Sequence, residues 1–251
     1  MAKLRAQHEV SSYYCGMETA TPHEGARAGR LLRTALAGAV VAACLAATAD
    51  LAAQSRHGRL FPPRDLALLE GPDRDAWQQP GRIMDALGIG DGSVVADIGA
   101  GGGWFTIRLA RRVGPNGLVY AEDVQRQMIE SIERRVQREA LRNVRLVLGT
   151  TEDPRLPAGA LDAALIVDAY HEMDDRIELL RNLARSLKPG GRLGIVDFRL
   201  DGGGPGPPIE ERIAPEVVID EAEQAGLRLI SHETFLPFQY LLVFGPAKPG
   251  P

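Results

Sequence analysis

The residues with the clearest chemical potential stand in one run, Val94-Val95-Ala96-Asp97-Ile98-Gly99-Ala100-Gly101-Gly102-Gly103. Glycines at 99, 101 and 103 lack the Cβ atoms that would block a tight turn and hold a ligand away from the chain, so the backbone around Ala100 becomes a binding surface. A dinucleotide fingerprint, G-x-G-x-x-G, would end where Trp104 stands; the spacing here is G-x-G-x-G, which argues against a nicotinamide cofactor. Asp97, just ahead of the first glycine, suits an ammonium group better than a pyrophosphate. A zwitterionic, phosphate-free ligand is expected. Taken alone, such a turn also serves as an ordinary structural turn.

A second run, Asp168-Ala169-Tyr170-His171-Glu172, follows an apolar stretch further along the chain. His171 is the candidate general base, because an imidazole titrates near neutrality, and Asp168 is the candidate for orienting donor or substrate. The plainer alternative for His171 is a helix cap or a loop hydrogen bond. Tyr170 suits the core or a pocket wall, and His232 a structural position.

Both runs need a scaffold that brings their ends together. Short apolar runs at 93–98, 117–121, 144–148, 161–167 and 191–196 alternate with amphipathic stretches at 104–113, 125–141 and 176–187, the signature of parallel strands joined by helices. A helix at 215–225, with Pro215 at its start, precedes strands at 227–230 and 239–244. The expected fold is α/β: a doubly wound, mostly parallel seven-stranded sheet with an antiparallel edge hairpin and helices on both faces. In such sheets ligands bind beyond the C-terminal strand ends, where both runs lie. Ahead of the first strand, residues 73–87 read as two short helices interrupted by Pro80-Gly81, a cap over the domain. Residues 201–208 form a Gly/Pro loop.

Over residues 94–244 the chain resembles the class I S-adenosylmethionine-dependent methyltransferases, whose first motif is an apolar strand, an acid and G-x-G-x-G. The resemblance implies S-adenosylmethionine as cofactor and methyl transfer to an unidentified, small-molecule nucleophile. A domain that binds the cofactor or a related nucleoside without catalysis is the alternative. In Val119-Tyr120-Ala121-Glu122-Asp123, Asp123 matches the family acid that accepts the ribose hydroxyls, with Glu122 as its neighbour in register. In Gly149-Thr150-Thr151-Glu152-Asp153, Asp153 matches an acid near the adenine amino group. Lys188-Pro189-Gly190-Gly191 is a further family feature, acting as helix stop and turn. The candidate cofactor set is thus Asp97, Gly99, Ala100, Gly101, Gly103, Asp123, Asp153 and Asp168; the candidate catalytic pair is His171 and Asp168. Asp168-Ala169-Tyr170 lacks the two prolines of the amino-methylating motif, so nucleobase or amide methylation is not inferred.

The chain has 251 residues and a net charge of -4, which gives no electrostatic reason to expect nucleic acid. Its cysteines, Cys15 and Cys44, both precede the expected fold, and its histidines lie too far apart for metal-ligand spacing, so no metal site is expected. Arg27, Arg30 and Arg33 precede an uncharged Ala/Val/Leu run at 34–49 that ends in Ala47-Thr48-Ala49, the pattern of a cleavable export signal. Val41-Ala42-Ala43-Cys44 also resembles a lipobox, which would tether the protein to a membrane through Cys44. Residues 56–63 read as a linker. The expected organisation is an extension at 1–53, linker and cap at 54–92, the catalytic domain at 93–245 and a disordered tail at 246–251. Export to the periplasm or a membrane tether is expected, with a cytoplasmic location as the alternative. The donor is made in the cytoplasm, which sets the leader and the chemistry at odds.

Overall fold

The computed structural model describes residues 60–201 and 203–247. The export-type run at 34–49, the tether candidate Cys44 and the last residues of the tail lie outside the described residues.

Seven strands form one sheet: β1 (Val94–Ile98), β2 (Leu118–Asp123), β3 (Val144–Leu148), β4 (Leu161–Val167), β5 (Leu187–Phe198), β6 (Leu227–Glu233) and β7 (Gln239–Pro246). Their order is β3-β2-β1-β4-β5-β7-β6. The first five run parallel, whereas β7 is antiparallel to both β5 and β6. This is the expected doubly wound sheet with its antiparallel edge. The chain order reverses at β1, which pairs with β2 on one side and β4 on the other, opening a crevice at its C-terminal end.

The alternation of side chains along the strands explains the layers. On one face Ala96, Ile98, Ala164 and Ile166 pack with Leu179, Leu180 and Leu183 of helix α5 (Arg176–Ser186) and with Val218 and Ala222 of α6 (Pro215–Gln224). On the other, Val95, Ala163 and Leu165 pack with Phe105, Leu109 and Val113 of α3 (Trp104–Val113). Each such fully buried Leu, Ile or Val contributes roughly 1.5–3 kcal/mol. Helix α4 (Arg126–Arg138) buries only Met128 and Ile132, so its arginines and glutamates lie along the remaining faces.

The expected cap helices are α1 (Arg74–Gln78) and α2 (Pro80–Ala86), broken at Gln79, whose φ is 47°. Ile83 and Met84 of α2 join the α3-side core. Two details differ from the sequence reading. Lys188-Pro189-Gly190-Gly191 lies within β5 as an irregularity in its pairing with β4, because Leu187 already pairs with Leu161 before the register resumes at Arg192. The nominal linker passes into a 3-10 turn over Pro63–Leu69, with Pro at its start. Among the described residues no helix is long and apolar enough to cross a membrane.

Candidate active site

The glycine turn after β1 takes the conformation its composition allows. Gly99, Gly101 and Gly103 have φ of 64°, 54° and 78°, values that strain any residue with a side chain. A Cβ at Gly99 would lie 3.0 Å from the Ala169 Cβ. The turn is tied to β2 through the Ala100 N–H, which donates to the Glu122 carbonyl at 2.9 Å, and the Gly101 N–H, which donates to Asp123 Oδ2 at 3.0 Å. Asp123 Oδ1 accepts the Gln125 N–H at 2.8 Å.

Asp97, Gly99, Ala100, Gly101, Glu122 and Asp123 line one cavity. Burial pushes the Asp97 carboxyl up to about 7, against the Thr106 hydroxyl that donates to it at 2.5 Å. Burial, with Asp123 adding like charge, holds Glu122 up at about 8, and Asp123 is raised by burial as well. Glu122 Oε1 has no hydrogen-bond partner. Three buried carboxyls beside a half-buried turn of backbone fit a ligand that brings positive charge and hydrogen-bond donors; a pyrophosphate would meet repulsion.

Two predicted cofactor residues stand apart from this cavity. Gly103 serves as the N-cap of α3, where a Cβ would lie 3.3 Å from Ile132, and it is Gly102 that borders the cavity. Asp153 is exposed and accepts the Arg155 N–H at 2.7 Å, while its own N–H donates to Thr150 Oγ1 at 3.0 Å. Its carboxylate closes a local turn, and Thr150 and Thr151 line the cavity in its place.

A second cleft of about 880 Å³ adjoins the first and shares Leu60, Phe61, Arg74, Asp168 and Glu172 with it. This volume suits a small-molecule ligand, for which clefts run to roughly 300–1,000 Å³. His171 lines it, its side chain 7% exposed. Asp197, wholly buried at the end of β5, accepts the His171 N–H at 3.0 Å through Oδ2 and faces its Nδ1 at 2.9 Å through Oδ1. Burial would lower the imidazole pKa, but Asp197, then Glu172 and Asp168, reverse this and raise it. The pairing leaves Nε2 as the nitrogen away from Asp197, with Glu172 Oε1 at 3.8 Å. Trp77 and Phe198, 6.2 Å apart between ring centroids, give the cleft aromatic walls. Tyr170 is fully buried in the core, and His232 is exposed on β6, its ring roughly perpendicular to that of Tyr240.

Asp168 sits between the two cavities with φ of 57°, its Oδ2 paired to Arg74 Nη2 at 2.9 Å. The Gln239 side-chain amide donates to Asp168 Oδ1. Arg74 Nε donates to Gln78 Oε1 at 3.1 Å, and Gln78 Nε2 to Gln239 Oε1 at 2.7 Å, closing a buried polar ring. Burial still raises the Asp168 carboxyl to about 6, despite the guanidinium. Sequence reasoning missed Arg74, Gln78, Asp197 and Gln239. The only signal was their position on the expected cap and at strand ends.

It also missed the cover over the glycine turn. The Phe61 N–H donates to Glu172 Oε2 at 2.7 Å, and Gln125 Nε2 donates to the Phe61 carbonyl at 3.1 Å. Glu70 pairs with Arg135 at 2.6 Å, and Arg135 reaches the Gly102 carbonyl at 2.9 Å. Residues 60–70 thus form part of the site, which corrects their reading as linker up to residue 63. Trp104 both packs and borders the cavity, with the Arg74 and Arg108 guanidinium carbons 4.2 and 3.5 Å from its ring centre.

Comparison with known proteins agrees with this geometry. Residues 95–191 match a family described as "Methyltransferase domain". The chain is similar to the ubiquinone/menaquinone biosynthesis C-methyltransferase UbiE of Pasteurella multocida, 35% identical over 46% of this chain and 43% of the relative. It is also similar to a demethylmenaquinone methyltransferase of Geobacillus, 30% identical over 48% of this chain and 51% of the relative. The chain therefore spans about half the length of the curated relatives it matches. Among solved structures, a SAM-dependent methyltransferase of Aquifex aeolicus superimposes with a TM-score of 0.70 at 28% identity, over 73% of this chain and 98% of that one. The [4+2]-cyclase SpnF superimposes with a TM-score of 0.57 at 18% identity, over 69% and 82%, a likeness of fold alone. Residues 95–191 thus match a methyltransferase domain, and the sheet order and glycine turn around them agree with the S-adenosylmethionine-dependent methyltransferase structure to which the chain is similar.

Proposed function

We propose that the chain transfers a methyl group from S-adenosylmethionine to a small molecule, with His171 as general base. The observation that carries this reading is the pair of adjoining cavities, one lined by the glycine turn and buried acids, the other holding the His171–Asp197 pair, with Asp168, Arg74 and Glu172 common to both. Bound in the first cavity, S-adenosylmethionine supplies an already activated methyl group. The protein's share of the work is therefore alignment, exclusion of water and removal of the acceptor's proton.

Each task has residues suited to it. Arg74 and Asp168 present a fixed cation and anion side by side, which matches the carboxylate and ammonium of a methionyl group, and Asp97 adds a second acid. Asp123 is the ribose-binding candidate. The cover formed by Phe61 and Leu66 limits water, since a Cβ at Gly102 would come within 3.3 Å of Leu66. His171 Nε2 takes the acceptor proton, and Asp197 fixes the ring through Nδ1 and stabilises the imidazolium that results. Removing a hydroxyl proton makes either the oxygen or a conjugated carbon more nucleophilic. The names of the curated relatives make demethylmenaquinone and related quinones the first acceptors to try.

Calorimetric titration with S-adenosylmethionine and S-adenosylhomocysteine tests the reading directly, and failure to bind either one sinks it. We also propose export for the full chain, supported by the arginines and the apolar run at 34–49. Fusion to a reporter active only outside the cytoplasm decides that question.

A further inference from the structure

Beside the proposed base stands a carboxylate with one oxygen unused. Glu172 lines both cavities, and its Oε2 accepts the Phe61 N–H at 2.7 Å, whereas its Oε1 accepts no hydrogen bond among the described residues. That Oε1 lies 3.8 Å from His171 Nε2. With the imidazole proton held on Nδ1 by Asp197, Nε2 carries a lone pair, so two acceptor atoms face each other with no donor from the described residues between them. Both side chains are largely buried, His171 at 7% exposed and Glu172 at 20%. Burial raises the Glu172 carboxyl, so the place favours an occupant that brings positive charge. The gap suits a single nitrogen, because hydrogen bonds of about 2.9 Å to each atom can meet across it. A hydroxyl has one proton and would satisfy only one of the two acceptors; a primary ammonium satisfies both.

The rest of the cleft agrees in charge and shape. Its two cations, Arg64 and Arg74, each face a carboxylate, Asp65 at 3.7 Å and Asp168 at 2.9 Å. Asp73 and Glu211 also line it, exposed and without an ion-pair partner among the described residues, so the surplus charge is negative. Trp77 and Phe198 offer ring faces to a flat, apolar body.

Resting on the methyltransferase reading, we propose that the methyl acceptor is a ring-bearing primary amine, its nitrogen held between His171 Nε2 and Glu172 Oε1. The bound ammonium gives one proton to His171 Nε2, and Glu172 and Asp197 stabilise the imidazolium that forms. The freed lone pair attacks the methyl carbon of S-adenosylmethionine. The C–N bond forms, the S–C bond breaks with its electron pair passing to sulfur, and S-adenosylhomocysteine and a secondary ammonium leave. The imidazolium then returns its proton to solvent.

The test is calorimetric titration of matched probes into the full chain, with and without S-adenosylhomocysteine: phenethylamine, its N,N-dimethyl form and the neutral phenethyl alcohol. Wild type is expected to bind the primary amine about tenfold more tightly than the alcohol. The dimethyl form keeps the charge with a single N–H, and its affinity is expected to fall between the two. In Glu172→Gln the amine's advantage over the alcohol is expected to shrink to within about threefold. Each ratio compares two probes on one protein, so a merely structural effect of the substitution does not move it. Equal affinity of wild type for amine and alcohol overturns the proposal and returns the cleft to hydroxyl acceptors. An advantage that Glu172→Gln retains in full overturns it too, as does a dimethyl form that binds as tightly as the primary amine. If Glu172→Gln does not fold, the wild-type comparison decides alone. A wild type that binds no S-adenosylhomocysteine overturns the methyltransferase reading instead, and the titrations without that ligand still decide amine against alcohol.

Discussion

The two cavities are built in opposite ways. The cavity at the glycine turn is built around one short stretch of backbone, Gly99 to Gly102, which hydrogen bonds tie to Glu122 and Asp123 of β2. The cleft that holds His171 depends on side chains far apart in the chain: Arg74 on the cap and Asp168 after β4, which it shares with the first cavity, backed by Gln239 at the start of β7, and Asp197 at the end of β5 behind His171. A backbone site tolerates change in most side chains but not in the residues that set its φ. An assembled site has the reverse sensitivity, since each partner satisfies another that would be costly to leave buried alone.

Substitutions in one cavity and in the wall the two share are the sharpest probes of this division. The largest effect is expected from His171→Ala, a loss of about 10²–10⁴ in turnover, with S-adenosylhomocysteine affinity unchanged by calorimetry. A parallel loss of affinity would mean that the two cavities do not divide the work. Next, Arg74→Ala strands Asp168 in the shared wall and is expected to destabilise the fold by about 3–5 kcal/mol in denaturant unfolding. Adding Asp168→Asn should recover part of that loss; no recovery would refute the coupling of the pair.

Asp123→Ala releases Gly101 and Gln125 together and is expected to weaken donor binding about tenfold. Asp153→Ala, at an exposed turn, should leave it within about twofold. Equal effects would restore Asp153 to the site. The smallest expected change lies in the pH profile. His171 must be neutral to accept a proton and its pKa is raised above the ordinary 6.5, so turnover should rise with pH through a value above 6.5. In Asp197→Asn the leading upward influence is gone and burial acts with less opposition, so the rising limb should move toward acid. A limb that stays in place would show that Asp197 does not set the imidazole.

The contrast also explains what could be read without coordinates. Strand and helix positions followed from apolar runs and their periods, because those patterns record burial residue by residue. The glycine turn was legible for a similar reason: glycine spacing reports where φ must be positive, and Gly99, Gly101 and Gly103 all take such values. Asp168 and His171 were visible as polar residues at a strand end. Asp197 was not, since an acid closing an apolar strand looks like any solvent-facing end, and its partner His171 lies 26 residues away. Arg74, Gln78 and Gln239 looked like surface residues until the cap and β7 were seen to enclose them.

Asp153 shows the limit from the other side. The residue type and the strand before it matched a binding acid, yet the turn through Thr150 and Arg155 takes its carboxylate for local closure. What the order of residues settled here is the sheet, the reversal at β1 and the positive-φ glycine turn after it, because all three depend on local conformation and hydrophobic pattern. Which polar groups meet, which remain unpaired as Glu122 Oε1 does, and which nitrogen of His171 stays available were decided only when distant elements packed. Hydrogen bonds and desolvation act over a few ångströms of space, and separation along the chain carries no record of that distance.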